Sequence, residues 1–261
     1  MSQGVNKGVI EKQYENANNL NCRISIHDKY SVNKIGFNNW IFSNYRIEAG
    51  MKILELGCGT GAMWMNRTDE IEACDKLVLS DFSQGMLLTT QEKLKGYDSI
   101  EYKVIDIQNI PYDADEFDIV IANMMLYHVP DLDKGLNEVR RVLKKGGTFY
   151  CATYGIHGTM EYLAQTLSEF GVNDDAISKN FTLQNGAEVL ERKFDSVIKL
   201  EYKDALEVTN VDDMVDYIYS LASMSTLSQV PKEQIRNKLL ENMKDGVLHV
   251  PKEYGMFLSR K

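Results

Sequence analysis

The fold of this chain is decided by one stretch of sequence, Ile53-Leu54-Glu55-Leu56-Gly57-Cys58-Gly59-Thr60-Gly61. It predicts a short buried strand that runs into three glycines within five positions. Glycine has no Cβ, so such a backbone turns sharply and approaches a ligand closely. With Ala62 the stretch also satisfies the dinucleotide pattern G-x-G-x-x-G/A, so a nicotinamide enzyme is one candidate. The stretch therefore predicts a nucleotide site outside the end of a strand in an open α/β sheet.

Further strand-like apolar runs follow the glycines, and the first three of them end in a polar side chain. They occupy residues 77–81, 102–106, 117–123 and 142–150, the last beginning as a helix end and turning at two glycines. Apolar residues at helical spacing predict helices over 34–49 and 83–95, and a third that ends at residue 145. Strands alternating with helices predict a parallel sheet with right-handed crossovers. The sequence therefore indicates the α/β class, with a doubly wound sheet.

The second half of the chain has a different pattern. Helices are predicted over 158–170, 181–194, 211–224 and 231–244, and strands over 196–208 and 247–259. No internal repeat, low-complexity segment or interdomain linker interrupts them. At 261 residues the chain is long enough for one large α/β domain and does not require two.

The ordered motifs resemble those of the class I S-adenosylmethionine (SAM)-dependent methyltransferases, and especially the small-molecule branch labelled type 11. The matching residues are ELGCGTG at 55–61, LVLSDFSQGML at 77–87, VIDIQNIPY at 104–112, FDIVIANMMLYHVPD at 117–131 and EVRRVLKKGGTFY at 138–150. The resemblance is close over residues 50–155 and general elsewhere. It implies a Rossmann-like sheet of seven strands, mostly parallel, in which the last strand is antiparallel.

The resemblance also implies how the chain is organised. Residues 1–261 are expected to form a single methyltransferase domain, with 1–49 as a helical lid and 50–155 as the SAM-binding core. Residues 156–180 and 211–245 are expected to be insertions over the ligand side of the sheet, where they would select the substrate.

Residues around the glycine stretch are the first candidates for holding SAM. Gly57, Gly59 and Gly61 would let the backbone pass under the methionine part, and Cys58 would present its backbone rather than its thiol. The helix expected after them would offer unpaired N–H groups to the cofactor's carboxylate. Glu55 either holds the loop or attracts the cofactor's ammonium group; alternatively it only bonds the turn backbone.

The ends of the next strands supply the remaining cofactor candidates. Asp81 follows the glycines at a distance that suits the ribose hydroxyls, although an acid in this position also caps helices. By resemblance Asp106 meets the adenine amino group with Ile107 near the ring; a plain turn aspartate is the alternative. Asn123 ends the fourth strand beside the reactive crevice. The adenine pocket would be walled by Phe82 and Met86, the latter equally a core residue.

Two regions carry candidates for catalysis and acceptor binding. His128 follows the fourth strand on the reactive side and is the best general base, although a structural role is equally compatible with its place. The N-terminal segment offers His27 and Tyr30 as substrate contacts, with Tyr30 and Tyr14 as aromatic faces near the sulfonium. In the alternative interpretation Tyr30 only docks the N-terminal helix on the sheet.

Composition limits the partners. The net charge is −9, from 38 acidic and 29 basic residues, which disfavours nucleic acid as a partner. No apolar run is long enough for a membrane span and no signal-peptide core is present, so we expect a cytoplasmic protein. The cysteines and histidines lack metal-ligand spacing, so no metal is expected. The oligomeric state, monomer or homodimer, stays open.

Three functions remain to be compared. The first is methyl transfer from SAM to a small organic acceptor, with S-adenosylhomocysteine (SAH) as the product. The second is a SAM-binding protein of the same fold that does not transfer a methyl group, such as a sensor or an enzyme of other chemistry. A nicotinamide oxidoreductase is disfavoured, since no Tyr-x-x-x-Lys pair follows the fourth strand. Aromatic and apolar residues around 217–227 suggest a partly apolar acceptor, and the same residues could instead form a dimer surface or part of the core.

Overall fold

The computed structural model describes residues 17–173 and 179–261, and in these ranges seven strands form one sheet. The strands are β1 (Lys52–Leu56), β2 (Lys76–Asp81), β3 (Ile100–Val104), β4 (Phe117–Ile121), β5 (Leu143–Tyr154), β6 (Ser196–Val208) and β7 (Leu248–Arg260). The spatial order is β3-β2-β1-β4-β5-β7-β6. Strands β1 to β5 pair in parallel, whereas β7 is antiparallel to both β5 and β6. The expected seven-stranded sheet with an antiparallel last strand is confirmed.

The order of the strands reverses between β1 and β4. The chain moves outward from β1 through β2 to β3 and then returns to the other side of β1 at β4. Ligands in open α/β sheets bind outside the carboxyl ends of the strands at such a switch point. The glycine stretch therefore lies where this topology places a ligand.

Nine helices accompany the strands in the described ranges. They are α1 (Ala17–Tyr30), α2 (Phe37–Ser43), α3 (Thr68–Ala73), α4 (Gln84–Lys93), α5 (Leu132–Val142), α6 (Thr159–Thr166), α7 (Gly186–Glu191), α8 (Val211–Ser220) and α9 (Lys232–Glu241). Short 3₁₀ segments cover Ala62–Trp64, Leu126–His128, Ser168–Phe170 and Ala222–Gln229.

Two predicted helices are much shorter than the sequence pattern indicated. The pattern over 34–49 yields only α2, because Tyr45 leaves the helix and packs its ring 4.9 Å from that of Tyr150. The pattern over 181–194 yields only α7, because Phe181 is buried in the core before the helix begins. In both places, apolar residues at helical spacing make their core contacts from irregular backbone rather than from a helix.

Both faces of the sheet are buried, which explains the continuous apolar runs of its central strands. Leu54 and Leu56 point to the face covered by α5 and α7, together with Phe149 and Phe257. Ile53 points to the opposite face, which α2 and α4 cover. This alternation fixes the register of β1, and with it the position of the glycine stretch.

A second apolar core lies beyond the carboxyl end of β5. Strands β6 and β7 continue past that end as a hairpin, in which Val208 pairs with Leu248. Helices α1, α6, α8 and α9 pack on the extension, and we call this unit the cap. Its buried residues include Ile26, Leu163, Leu206, Met214, Ile218, Leu227, Ile235 and Leu239. The described parts of 156–180 and 211–245 thus lie in the cap, and their role as substrate-selecting insertions stays a prediction.

A buried ion pair joins the cap hairpin to the segment after α1. Lys252 on β7 pairs with Asp204 on β6, and their side chains are 1% and 0% exposed. Lys252 also donates to the Ser31 hydroxyl at 2.9 Å, and the Asn33 N–H donates to Asp204 at 2.9 Å. The pair therefore anchors α1 against the hairpin through the residues that follow it.

Replacement of Asp204 by Asn should cost about 3–5 kcal/mol in the free energy of unfolding, because it leaves the Lys252 charge buried without a counterion. The Asn oxygen can still accept the Asn33 N–H. The measurement is urea unfolding followed by circular dichroism. Asp216→Asn, which breaks an exposed pair with Lys232, is the control and should change the midpoint little. Equal midpoints for the two variants would refute an anchoring role for the ion pair.

Candidate functional site

The glycine stretch forms a loop with one packed side and one open side. Its three glycines have positive φ angles of 73°, 58° and 71°. A Cβ on Gly61 would lie 2.7 Å from the Thr90 methyl carbon, so Gly61 is required for packing on α4. Among residues 17–173 and 179–261, no atom outside Gly59 and its two chain neighbours lies within 4 Å of a Cβ built on Gly59. The open side at Gly59 is therefore where a ligand can approach the backbone.

Hydrogen bonds from neighbouring elements hold the loop in place. The Cys58 N–H donates to the Ser80 carbonyl at 2.8 Å, and the Thr90 hydroxyl donates to the Gly59 carbonyl at 2.8 Å. The Gly59 N–H donates to Asp81 Oδ2 at 2.9 Å. The Cys58 thiol is buried beside Thr90. The loop conformation is thus fixed by the protein itself before any ligand binds.

The helix expected directly after the glycines is absent from this position, and that prediction is wrong. A single 3₁₀ turn, Ala62–Trp64, follows the loop, and α3 begins only at Thr68. The reason is Trp64, which is fully buried and donates its indole N–H to Glu55 Oε2 at 2.7 Å. The sequence offered a signal for this contact in the tryptophan placed three residues after Gly61.

Glu55 is a buried carboxyl group directly beneath the loop. Burial raises its pKa to about 7, the Asp81 charge adds to the effect, and the Trp64 hydrogen bond opposes it. Its side chain accepts a hydrogen bond from the Trp64 indole. The sequence alone predicted a bond to the backbone of the turn or to the ammonium group of a ligand. The role toward an ammonium group stays a prediction.

Asp81 lies at the carboxyl end of β2 and joins two segments. Besides the Gly59 contact, its Oδ1 accepts the Ser83 N–H at 2.8 Å. The N-cap of α4 is Ser83, which accepts the Met86 N–H, so Asp81 does not itself cap the helix. Burial raises the pKa of Asp81. Its place beside the open side of the loop agrees with the predicted ribose contact, which stays a prediction.

The other cofactor candidates lie around the neighbouring strand ends. Asp106 accepts the Gln108 N–H at 2.9 Å and so closes a turn, as its alternative interpretation required. Ile107 is buried and faces Gly135 of α5, and Met86 is also buried. Phe82 is partly exposed next to Asp81. Of the proposed adenine contacts, Phe82 and Asp106 are thus partly accessible, whereas Ile107 and Met86 are buried.

The side-chain amide of Asn123 makes hydrogen bonds within the protein. Its Nδ2 donates to the Tyr45 hydroxyl at 2.6 Å, and its Oδ1 accepts the Ala152 N–H at 3.1 Å. It therefore fixes the ends of β4 and β5 to the segment after α2. Sequence reasoning missed Tyr45, because it was counted as one residue of a longer helix.

His128 lies in the 3₁₀ turn after β4, where it remains partly exposed. Burial and the nearby charge of Arg23 together lower its pKa to about 4. At neutral pH the imidazole is therefore neutral, and a pKa so far below neutrality makes it a weak base. The general-base role predicted from the sequence stays a prediction.

The N-terminal candidates separate in the structure. The ring of His27 lies 6.0 Å from those of Tyr217 and Tyr254, within the region joining the cap and the sheet. The Tyr30 hydroxyl donates to Asp213 Oδ2 at 2.5 Å, so in this conformation Tyr30 ties α1 to α8 of the cap, whereas its alternative interpretation was docking on the sheet. Its substrate contact stays a prediction. Tyr14 lies outside the described residues.

Two further features of the described residues bear on partners. Between 17–173 and 179–261 there is no cluster of three or more His, Cys, Asp or Glu side chains placed to hold a metal ion. Within the same ranges no helix has the length and apolar character needed to cross a bilayer.

Conversion of Glu55 to Gln should remove a pH-dependent loss of stability. The folded carboxyl has a higher pKa than the unfolded one, so ionisation at rising pH favours unfolding. The rise of the Glu55 pKa to about 7 corresponds to a total loss of about 3 kcal/mol in the free energy of unfolding. About 1 kcal/mol of this loss falls between pH 6 and pH 8. Urea unfolding at both pH values measures it. If wild type and Glu55→Gln lose the same free energy over this interval, Glu55 is not the group responsible.

Comparison with known proteins finds a domain match over part of the chain. Residues 54–151 match the model of a methyltransferase domain. The demethylmenaquinone methyltransferase of Bacillus subtilis is 32% identical over 148 residues, 55% of this chain and 60% of that protein. The chain thus spans about three fifths of the length of this curated relative.

Solved structures agree on the fold. Phosphoethanolamine N-methyltransferase 2 of Haemonchus contortus, solved with SAM, superposes with a TM-score of 0.63 at 18% identity, covering 99% of this chain and 60% of that one. The YcgJ protein of Bacillus subtilis gives 0.59 at 14% identity, covering 86% and 97%. The glycine loop and Asp81 thus lie within the residues that match a methyltransferase domain, and the chain shares its fold with these solved structures.

Proposed function

We propose that this chain transfers a methyl group from SAM to a small organic acceptor at the carboxyl ends of β1, β2 and β4. The observation that carries the proposal is the preformed glycine loop, whose open side at Gly59 lies beside the Asp81 carboxylate. The alternative, SAM binding without methyl transfer, shares this loop and differs from the proposal in turnover alone.

The residues at the strand ends fit SAM as the cofactor. The open side of the loop leaves room for the methionine part against the Gly59 backbone. Asp81 can accept hydrogen bonds from both ribose hydroxyls, and Phe82 is accessible to an adenine ring. Glu55 lies beneath the loop, where ionisation would attract an ammonium group. Bound there, SAM supplies a methyl group already activated by its sulfonium.

The chain's own contribution is mainly orientation. Holding two reactants in attack geometry contributes up to ~7–11 kcal/mol to lowering a barrier. The loop is fixed by Asp81 and Thr90, and Asn123 fixes the neighbouring strand ends, so the cofactor side is rigid. His128 is neutral at physiological pH, so its ring can accept a hydrogen bond from an acceptor that arrives protonated, although its low pKa makes it a weak base for complete proton transfer.

The proposal also includes the cellular location and the partners of the protein. Cys58, Cys74 and Cys151 are unpaired thiols, which supports a reducing compartment and so the cytoplasm. The acidic chain supports a small-molecule acceptor over nucleic acid. A monomer and a homodimer are both compatible with a site built from one chain.

Replacement of Gly59 by Ala should weaken SAM binding at least tenfold, because the added methyl group occupies the open side of the loop. It meets no atom of the described residues beyond its chain neighbours, so the expected cost to folding is about 1–2 kcal/mol for the positive φ. The measurement is calorimetric titration with SAM. Gly50→Ala is the matched control, since Gly50 has a φ of 80° and equal space at the other end of β1. Equal affinities in the two variants would contradict a cofactor lying over Gly59.

Replacement of Asp81 by Ala should also weaken SAM binding at least tenfold, through loss of the ribose contacts and of the Gly59 hydrogen bond. Asp98→Ala removes an exposed acid before β3 and should leave the affinity unchanged. NADH, titrated in parallel, should not bind. Failure of the wild-type chain to bind SAM would overturn the proposal, and binding of NADH would favour an oxidoreductase. Release of SAH from labelled SAM with an acceptor panel then separates transfer from binding alone.

A further inference from the structure

The outer edge of β6 is covered over only half of its length by the described residues. Strand β6 is the last strand of the sheet and pairs with β7 along one side. The segment 31–33 runs along its other side, where the Val32 N–H donates to the Ala205 carbonyl at 2.9 Å. This segment covers residues 203–206. Over residues 196–202 no other described strand pairs with the outer side of β6, and we call this part the open edge.

The backbone groups of the open edge alternate in direction. In an antiparallel strand the N–H and C=O of one residue point to the same side, and those of the next residue point to the other side. The Leu200 carbonyl points to β7, since it would lie 2.3 Å from a Cβ built on Gly255. Val197, Lys199 and Glu201 therefore present their N–H and C=O groups outward. Among the described residues these outward groups have no hydrogen-bond partner.

The side chains of the open edge are exposed on both faces of the sheet. Ile198 is 57% exposed on one face. Lys199 and Glu201 lie on the opposite face, where they form an ion pair at 3.2 Å and are 35% and 63% exposed. A strand edge with unpaired backbone groups and an exposed apolar side chain is a template for pairing with another strand.

The sequence of the open edge is complementary to itself in one antiparallel register. A two-fold axis at Leu200 places Lys199 opposite Glu201 of a second copy, and the symmetry repeats this pair. Outward groups then meet outward groups, so each pair exchanges both of its main-chain hydrogen bonds. An axis at Lys199 would instead place two lysines opposite each other, and one at Glu201 two glutamates. An axis at Ile198 would bring Asp195 opposite Glu201. Charge therefore selects the axis at Leu200.

The same register brings apolar surface together on the other face. It places Ile198 opposite Tyr202 of the second copy. Asn33 and Phe37 both contact Tyr202, through the tyrosine hydroxyl and the tyrosine ring respectively. Ile35 lies between these two residues in the chain and is 60% exposed. The exposed apolar side chains of the two copies thus meet on one face of the extended sheet, and the charged pairs lie on the other.

We propose that the open edge of β6 binds a second copy of this chain in antiparallel orientation, with the two-fold axis at Leu200. The two sheets then continue into each other through a closed, isologous contact. The open edge is short, so the dimer forms and dissociates with concentration and is not a permanent assembly. This inference goes beyond the proposed function and does not depend on it, because no residue of the cofactor loop takes part.

Sedimentation velocity of the full chain, in a concentration series up to about 200 μM, tests the proposal. We expect wild type to change from monomer to dimer as the concentration rises. Lys199→Glu and Glu201→Lys each turn two attractive cross-strand pairs into two repulsive ones, so each should weaken dimerisation at least about tenfold. Wild type that stays monomeric over the whole series would overturn the proposal.

A mixture of the two variants tests the register. When a Lys199→Glu chain meets a Glu201→Lys chain about the axis at Leu200, both cross-strand pairs again join opposite charges. The equimolar mixture should therefore dimerise about as tightly as wild type, whereas each variant alone should not. A mixture that stays monomeric, or a Glu201→Lys chain that dimerises as tightly as wild type, would contradict the axis at Leu200.

Two further variants separate the open edge from general effects. Glu207→Lys changes the net charge as Glu201→Lys does, at an exposed position of β6 roughly 23 Å from the axis, and should dimerise as wild type does. Ile198→Asp buries a charge on the apolar face of the contact and should weaken dimerisation. All variants change exposed side chains, so their urea midpoints should agree with that of wild type. Equal loss of dimer in Glu207→Lys and Glu201→Lys would refute the role of the open edge.

Discussion

The hydrogen bond from the Gly59 N–H to Asp81 is the contact on which the candidate site depends. It joins the end of β1 to the end of β2, and Thr90 holds the same loop residue from α4. Because the loop is fixed on two sides, its open side at Gly59 has a defined shape before any ligand arrives. Preorganisation of this kind lowers the conformational cost of binding. Burial of Asp81 and of Glu55 gives the same place two carboxyl groups with raised pKa values.

A second constraint operates at the other edge of the sheet. The β6–β7 hairpin extends past the end of β5 and carries its own apolar core, and the Lys252–Asp204 pair anchors the segment after α1 to it. Helix α1 is therefore held by the cap rather than by the cofactor loop. The cofactor loop and the cap are thus stabilised by different apolar cores.

The two histidines show how the surroundings determine chemical character. Both are surrounded by protein and lie near a cation, Lys252 for His27 and Arg23 for His128, and both effects disfavour the protonated ring. They are therefore neutral at physiological pH.

The sequence by itself determined the order of the strands along the chain, the glycine turn and the polar residues at the strand ends, because these follow from local pattern and from glycine geometry. It also determined the long strands over 196–208 and 247–259, within one or two residues of their observed ends. Only the tertiary structure decided which polar groups meet. The Trp64 indole replaces the expected helix by bonding Glu55, Tyr45 leaves a predicted helix to meet Asn123, and His27 reaches Tyr254 across more than two hundred residues. Such contacts depend on distances between elements far apart in the chain, which periodicity and spacing do not encode.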